Sequence, residues 1–213
     1  MNRFESYLGL PTLVGRTKYL TFSYLKDWIW KKLQGWKRKM LSKAYKEILI
    51  KPVAQSIPTY TMSVFQLPLK LCDELDAMCA KFWWRQVGNE RKIHWQRWEK
   101  LTLSKREGGM GFRDFRACDL AMLAKQGWRL LHNNNSLVFQ CLRARYFPRT
   151  HLFEAKQSLN CSFVWKSIVV AFPILKSGCC WRVGNGHSIR ILRDKWIPNY
   201  PTNAPLHIVK DEV

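Results

Sequence analysis

The sequence predicts a mainly α-helical protein, and three observations carry that expectation. Apolar residues return every three to four positions through several long windows. Helix-starting Ser, Asp and Pro residues precede these windows, and clusters of Asn, Gly or Pro follow them. Strand-like alternation is confined to short stretches after about residue 90.

Between Thr17 and Gln34 the residues Phe22, Leu25, Ile29 and Leu33 form one apolar stripe, while Leu20, Tyr24, Trp28 and Lys31 fall on another face. This segment reads as a two-sided helix that stops at Gly35-Trp36. A second helix is expected from Leu41 to about Gln55, with Ser42 near its start and Pro52 kinking or ending it. Ser56-Ile57-Pro58 stops it. A third runs from Pro68, suited to a first turn, to Trp84, burying Leu71, Leu75, Met78, Cys79 and Phe82. Its acids Asp73, Glu74 and Asp76 read as solvated residues that suit the dipole of a helix start.

From Gly88 to Gly111 the pattern is irregular, with a short strand expected at Lys92 to Trp95, a helical turn near Trp98 and a tight turn at Gly108-Gly109-Met110-Gly111. Helix returns from Asp114 to His132, with Leu120, Leu123, Ala124, Gly127, Leu130 and Leu131 on one face. Asn133, Asn134 and Asn135 end it, and Ser136 caps another helix to about Tyr146. Ser162 to Leu175 is a further helical window. Cys180 to Arg193 alternates like a hairpin about Gly184-Asn185-Gly186. The domain division expected from these patterns is 1–86, 87–198 and an irregular tail 199–213, with a boundary near Val87 to Glu90.

The 213 residues carry 36 Lys+Arg against 15 Asp+Glu, a formal charge of +21, and 11 Trp among 14% aromatics. Such a chain has material for a core and is neither disordered nor collagen-like. Its longest apolar runs, such as Ile168 to Leu175, fall far short of the roughly 20 residues a spanning helix needs. Charge of this sign makes nucleic acid the expected partner through counterion release, ahead of an anionic membrane surface. Within Arg16 to Lys51 there are 11 basic and 2 acidic residues, the best candidate for phosphate contacts. Glu5 and Gly9-Leu10-Pro11 interrupt any signal-peptide core, so secretion is not expected. Seven Cys without a Cys-x-x-Cys pair fit a reducing compartment.

Polymerases and nucleases hold two metal ions between carboxylates from separate elements. Asp73, Glu74 and Asp76 are the one acidic cluster here, and there is no Asp-Asp pair. Neither zinc spacing nor an activated Cys is recognisable, and the glycine loop lacks the Lys-Ser/Thr of a phosphate cradle. No catalytic residue and no metal ligand is therefore assigned. Trp28, Trp30 and Trp36, interleaved with Lys31, Lys32, Lys37, Arg38 and Lys39, suit base stacking with phosphate contacts. They equally suit a core role for Trp30 and Trp36 beneath a solvated basic face.

Longer phrases carry a resemblance. Tyr7-Leu8-Gly9-Leu10-Pro11, Leu33-Gln34-Gly35-Trp36, Ile48-Leu49-Ile50-Lys51 and Val53-Ala54-Gln55-Ser56-Ile57-Pro58 resemble the reverse transcriptase of plant LINE-type (non-LTR) retrotransposons just after its palm. Phe82-Trp83-Trp84 and Gly108-Gly109-Met110-Gly111-Phe112-Arg113-Asp114 are similar to the thumb and connection region that follows, and Trp181-Arg182-Val183-Gly184-Asn185-Gly186 and Asp194-Lys195-Trp196-Ile197-Pro198 resemble the stretch leading toward the family's zinc-binding and RNase H-like C-terminus. Tyr45 and Pro52 depart from that family's pattern.

The resemblance implies a thumb-like helical bundle, then a second helical subdomain with short β-hairpins. It also implies a truncated, non-enzymatic piece of an RNA-directed DNA polymerase, because the family's Tyr/Phe-x-Asp-Asp motif has no match. No cofactor is then expected; Mg²⁺ belongs with the missing palm. The implied partner is the RNA or DNA backbone, bound weakly and salt-dependently through Lys31, Lys32, Lys37, Arg38, Lys39, Lys43 and Lys46, with Tyr24 and Trp28 stacking bases or packing on a palm and fingers. The alternative is a domesticated RNA-binding accessory, or a thumb subunit completing a separately encoded enzyme. Nucleus and mitochondrion are both open as its compartment.

Overall fold

The computed structural model describes residues 6–37, 41–84, 93–155, 160–187, 189 and 195–197. The chain forms two compact units, Met1–Ala171 and Phe172–Val213. It is mainly helical, as the sequence predicts. The expected boundary near Val87 to Glu90 and the tail from residue 199 lie outside the described residues.

The first unit opens with a hairpin of β1 (Ser6–Tyr7) and β2 (Leu10–Pro11), in register Ser6 to Pro11 and Tyr7 to Leu10. Leu8 and Gly9 both have positive φ, 51° and 79°, as a two-residue type I′ connection requires. The single helix expected over Thr17 to Gln34 is instead two, α1 (Lys18–Phe22) and α2 (Tyr24–Lys37). The break falls at Ser23, whose hydroxyl donates to the Leu20 carbonyl at 2.9 Å and competes with the helical ladder. Gly35-Trp36 does not stop α2. Trp36 packs on Phe82 with ring centroids 6.0 Å apart, which outweighs the roughly 1 kcal/mol that a helical Gly costs.

Helix α3 (Lys43–Ile50) starts as expected: the Ser42 hydroxyl accepts from the Tyr45 amide. It ends before Pro52, and a 3-10 turn (Ala54–Ser56) and a short α4 (Thr59–Met62) follow. Helix α5 (Leu69–Trp83) is the central element, burying Leu71, Cys72, Leu75, Cys79 and Phe82. Phe22, Leu25, Ile29 and Leu33 of the α1–α2 stripe are at most 2% exposed and join the same core.

The three acids of α5 correct the sequence reading. None sits in the first turn, and each reaches beyond its own helix. Glu74 accepts from Tyr19 Oη and Lys26 Nζ, both at 2.7 Å. Asp76 accepts from Trp98 Nε1 at 2.9 Å and from the Phe115 amide at 3.3 Å. Asp73 pairs with Arg116.

The irregular stretch contains α6 (Trp98–Thr102) and a 3-10 turn (Lys105–Glu107) closed by a Ser104/Glu107 capping box. The glycine turn is as tight as expected. Gly108 takes φ +79°, and a Cβ on Gly109 would run into the Leu103 backbone. The strand expected at Lys92 to Trp95 does not form among the described residues: Ile93, His94 and Trp95 are irregular and exposed, and Lys92 lies outside the described residues.

Helix α7 (Phe115–His132), capped by Asp114, and α8 (Leu137–Tyr146), capped by Ser136, match their expected windows. The last window divides into α9 (Phe163–Val170), capped by Ser162, and α10 (Phe172–Gly178). Trp165 on α9 is fully buried and stacks 4.7 Å from Tyr146 and 5.7 Å from Phe147. The linker between α4 and α5 is tied by side chains. Ser167 Oγ accepts from the Gln66 amide at 2.9 Å, and Asp119 Oδ2 from the Leu67 amide at 3.0 Å.

In the second unit the hairpin expected over Cys180 to Arg193 is absent among the described residues. Residues 184–186 form a bend in which Gly186 has φ +77°. The Trp181 amide does donate to the Lys195 carbonyl at 2.6 Å, so these two residues come together.

Candidate nucleic-acid interface

Helix α2 turns one flank into the core and leaves another in water. Its inner positions are Leu25, Ile29 and Leu33. Trp28, Lys31 and Lys32 stand at i, i+3 and i+4 on one outer flank, and all three are exposed. Trp28 is 49% exposed and meets Tyr24 edge to face, with centroids 5.0 Å apart. Tyr24 is half-buried and shares a hydrogen bond with Thr61 Oγ1 at 3.0 Å, and burial raises the pKa of its phenol. The aromatic pair is therefore anchored to α4 and carries two exposed ammonium groups beside it.

The other expected contacts are placed differently. Lys43 and Lys46 both donate to the Trp83 carbonyl, at 3.0 and 3.1 Å. That carbonyl ends α5, where unpaired carbonyls and the negative dipole end attract cations. Lys46 is only 5% exposed. Lys43 lies 4.6 Å from the centroids of both Trp83 and Trp84, and desolvation lowers its pKa. These two lysines cap a helix. Lys37 ends α2, and Arg38 and Lys39 lie outside the described residues.

Several other cations are also engaged. Lys26 and Tyr19 hold the Glu74 carboxyl below the usual carboxylate range, with Lys26 the larger cause. Lys51 donates to Glu47 and to the Met110 carbonyl, both at 2.6 Å. Among the described residues no three His, Cys, Asp or Glu side chains converge as metal ligands. Burial pushes the Cys72 thiol up to about 12 and raises that of Cys79, as suits small hydrophobic residues. No described helix is long and apolar enough to cross a membrane.

The sequence reading misses Tyr60 on α4, 51% exposed and next to the Thr61 that anchors Tyr24. The signal is Pro58 ahead of Thr59, a helix start where Ser56-Ile57-Pro58 reads only as a stop.

No protein-family model matches the chain. It is 37% identical over 153 residues to the "Uncharacterized mitochondrial protein AtMg00310" of Arabidopsis thaliana, covering 71% of this chain and 99% of that protein. It is 31% identical over 199 residues to the "Putative ribonuclease H protein At1g65750" of Arabidopsis thaliana, covering 90% of this chain. The chain thus spans about a third, 32%, of that longer relative. The first alignment leaves almost none of its partner unmatched, so the chain belongs to the family of the Arabidopsis mitochondrial protein AtMg00310.

Proposed function

We propose that the chain is a non-catalytic piece of a non-LTR retroelement reverse transcriptase that retains sequence-independent binding to the RNA or DNA backbone. The observation that carries this reading is the outer flank of α2, where Lys31 and Lys32 project into water beside the anchored Trp28 on a chain of charge +21. Cations displayed this way gain affinity by releasing condensed counterions, and phosphate contacts carry no sequence information. The 31% identity to a relative named as a putative ribonuclease H protein links the chain to proteins that act on nucleic acid. The longer resemblance to the region after a polymerase palm accounts for the missing Asp pair.

One structural contrast favours a retroelement piece over a domesticated stand-alone factor. Leu20 on α1 is 68% and Trp28 on α2 is 49% exposed. A factor selected to work alone would have exchanged such a surface for polar residues. Retained apolar groups there suit a segment that packs on further protein.

Titration of labelled duplex at several salt concentrations tests the binding. Affinity should fall steeply as salt rises, and Lys31→Ala with Lys32→Ala should reduce the log-log slope by about 2, near 1 per lost contact. Affinity insensitive to salt would refute backbone binding. Primer extension with Mg²⁺ tests the other half: incorporation by the purified chain alone would refute the non-catalytic assignment.

A further inference from the structure

Between Asp119 and Glu154 the chain contains no acidic residue, yet it carries Lys125, Arg129, Arg143, Arg145 and Arg149. On α7 the residues Lys125, Trp128, Arg129 and His132 stand at i, i+3, i+4 and i+7. Lys125, Trp128, Arg129 and His132 are all exposed. Trp128 keeps 46% of its surface in water. Its ring packs on the His132 imidazole with centroids 4.0 Å apart, and His132 Nδ1 lies 3.1 Å from the Trp128 carbonyl oxygen. The pair is held as one platform on the outside of the helix.

A cavity of about 390 Å³ opens beside this platform, where the ends of α4 and α7 meet α8 and α9. That volume lies within the range of small-ligand sites. Val64, Val164 and Ile168 give it apolar walls, and Gln126, Arg129 and Asn133 line it with polar groups. Arg129 therefore belongs both to the exposed platform and to the cavity. Its guanidinium bonds Gln126 Oε1 at 3.3 Å, and no carboxylate pairs with it among the described residues.

We propose that this corner binds single-stranded nucleic acid, taking one unpaired base into the cavity and stacking its neighbour on Trp128. Apolar walls suit the faces of a base, and the Gln126 and Asn133 amides offer both donors and acceptors to its edge. Arg129 and Lys125 stand where the connecting phosphates would run, and stacking on an aromatic platform tolerates any base. A duplex cannot use the corner, because its bases are already paired and stacked. The inference rests on the reading that the chain binds nucleic acid, but it uses residues of helices other than α2.

The test is fluorescence anisotropy with labelled single-stranded RNA, single-stranded DNA and duplex, over a range of salt concentrations, on the full chain and three variants. Trp128→Ala should weaken single-strand binding about tenfold and leave duplex affinity unchanged. Arg129→Ala should weaken single-strand binding and lower its salt slope. Lys31→Ala with Lys32→Ala should weaken both forms. Trp128 and Arg129 are exposed, so circular dichroism melts should match the parent and separate lost binding from lost folding. The RNA and DNA arms show whether the 2′-hydroxyl contributes. Single-strand affinity untouched by Trp128→Ala, or duplex affinity falling equally, overturns the inference and leaves the α2 reading standing. Single-strand loss in Trp128→Ala with no effect of the lysine pair supports the corner and overturns the α2 face instead.

Discussion

Helices α5 and α7–α8 handle charge in opposite ways. On α5, Asp73, Glu74 and Asp76 each reach beyond their own helix, holding Arg116 on α7, the Tyr19–Lys26 pair, and Trp98 with the start of α7. Beyond Asp119, the rest of α7 and all of α8 contain no acid, and Lys125, Arg129, Arg143 and Arg145 are exposed. With 15 acids against 36 basic residues, the chain uses its few carboxylates as ties. The difference divides the surplus charge into two kinds. Cations already on a carboxylate or carbonyl, such as Lys26, Lys43, Lys46, Lys51 and Arg116, gain little by meeting a phosphate. Exposed ones, such as Lys31, Lys32, Lys125 and Arg129, can release counterions.

Asp119 gives the largest expected effect, because it lies at the boundary between these regions and pairs with no cation among the described residues. It is 3% exposed, its Oδ2 accepts the Leu67 amide, and its Oδ1 has no partner among the described residues. Burial raises its pKa from 3.8 to about 7. The folded state then keeps a proton that the unfolded chain releases above about pH 4, so the contribution of Asp119 to stability is greatest in acid and falls as pH rises toward 7. Asp119→Asn removes this slope. Urea unfolding should find the variant about as stable as the parent near pH 4 and more stable at pH 8 by about 4 kcal/mol, since each pH step between the unfolded and folded pKa values costs the parent about 1.4 kcal/mol. Parallel stability curves for the two proteins would show that Asp119 does not titrate in this range.

Asp76 tests whether the α5 carboxylates are ties. Asp76→Ala leaves the Trp98 indole N–H and the Phe115 amide without their acceptor, at the point where α5, α6 and α7 meet. The expected loss is about 2 kcal/mol in urea at neutral pH. A variant as stable as the parent would return Asp76 to the solvated role that the sequence alone suggests.

What is legible in the sequence follows helical period and capping. Phe22, Leu25, Ile29 and Leu33 all enter the core, and Ser42, Asp114, Ser136 and Ser162 all cap the helices they precede. The ties are not legible, since each joins residues far apart in the chain. Gln55 exchanges side-chain hydrogen bonds with the Arg113 backbone at 2.8 and 3.1 Å, across 58 positions. Lys43 and Lys46 look like phosphate contacts because a carbonyl 37 to 40 residues away leaves no mark beside them. Asp119 does leave one. It stands four residues from both Phe115 and Leu123, so helical period alone places it among buried neighbours. The platform around Trp128 escapes a reading of α7 for its inner face, whereas the absence of acids marks the outer one.

Arg116 offers the smallest effect and the sharpest test of tied against surplus cations. Both members of the Asp73–Arg116 pair are about half exposed, at 51% and 47%. Exposed ion pairs add little stability, because water screens them and holding two long side chains costs entropy. Arg116→Ala should therefore move the thermal midpoint by less than about 2 °C. Removing Arg116 also removes a charge that Asp73 already neutralises, so the salt slope of duplex binding should stay at the parent value. Losing Lys31 or Lys32 should lower that slope by about 1 each. A slope that falls as far for Arg116→Ala as for either lysine would mean that the carboxylates of α5 do not set their cations apart, and that charge count alone governs binding.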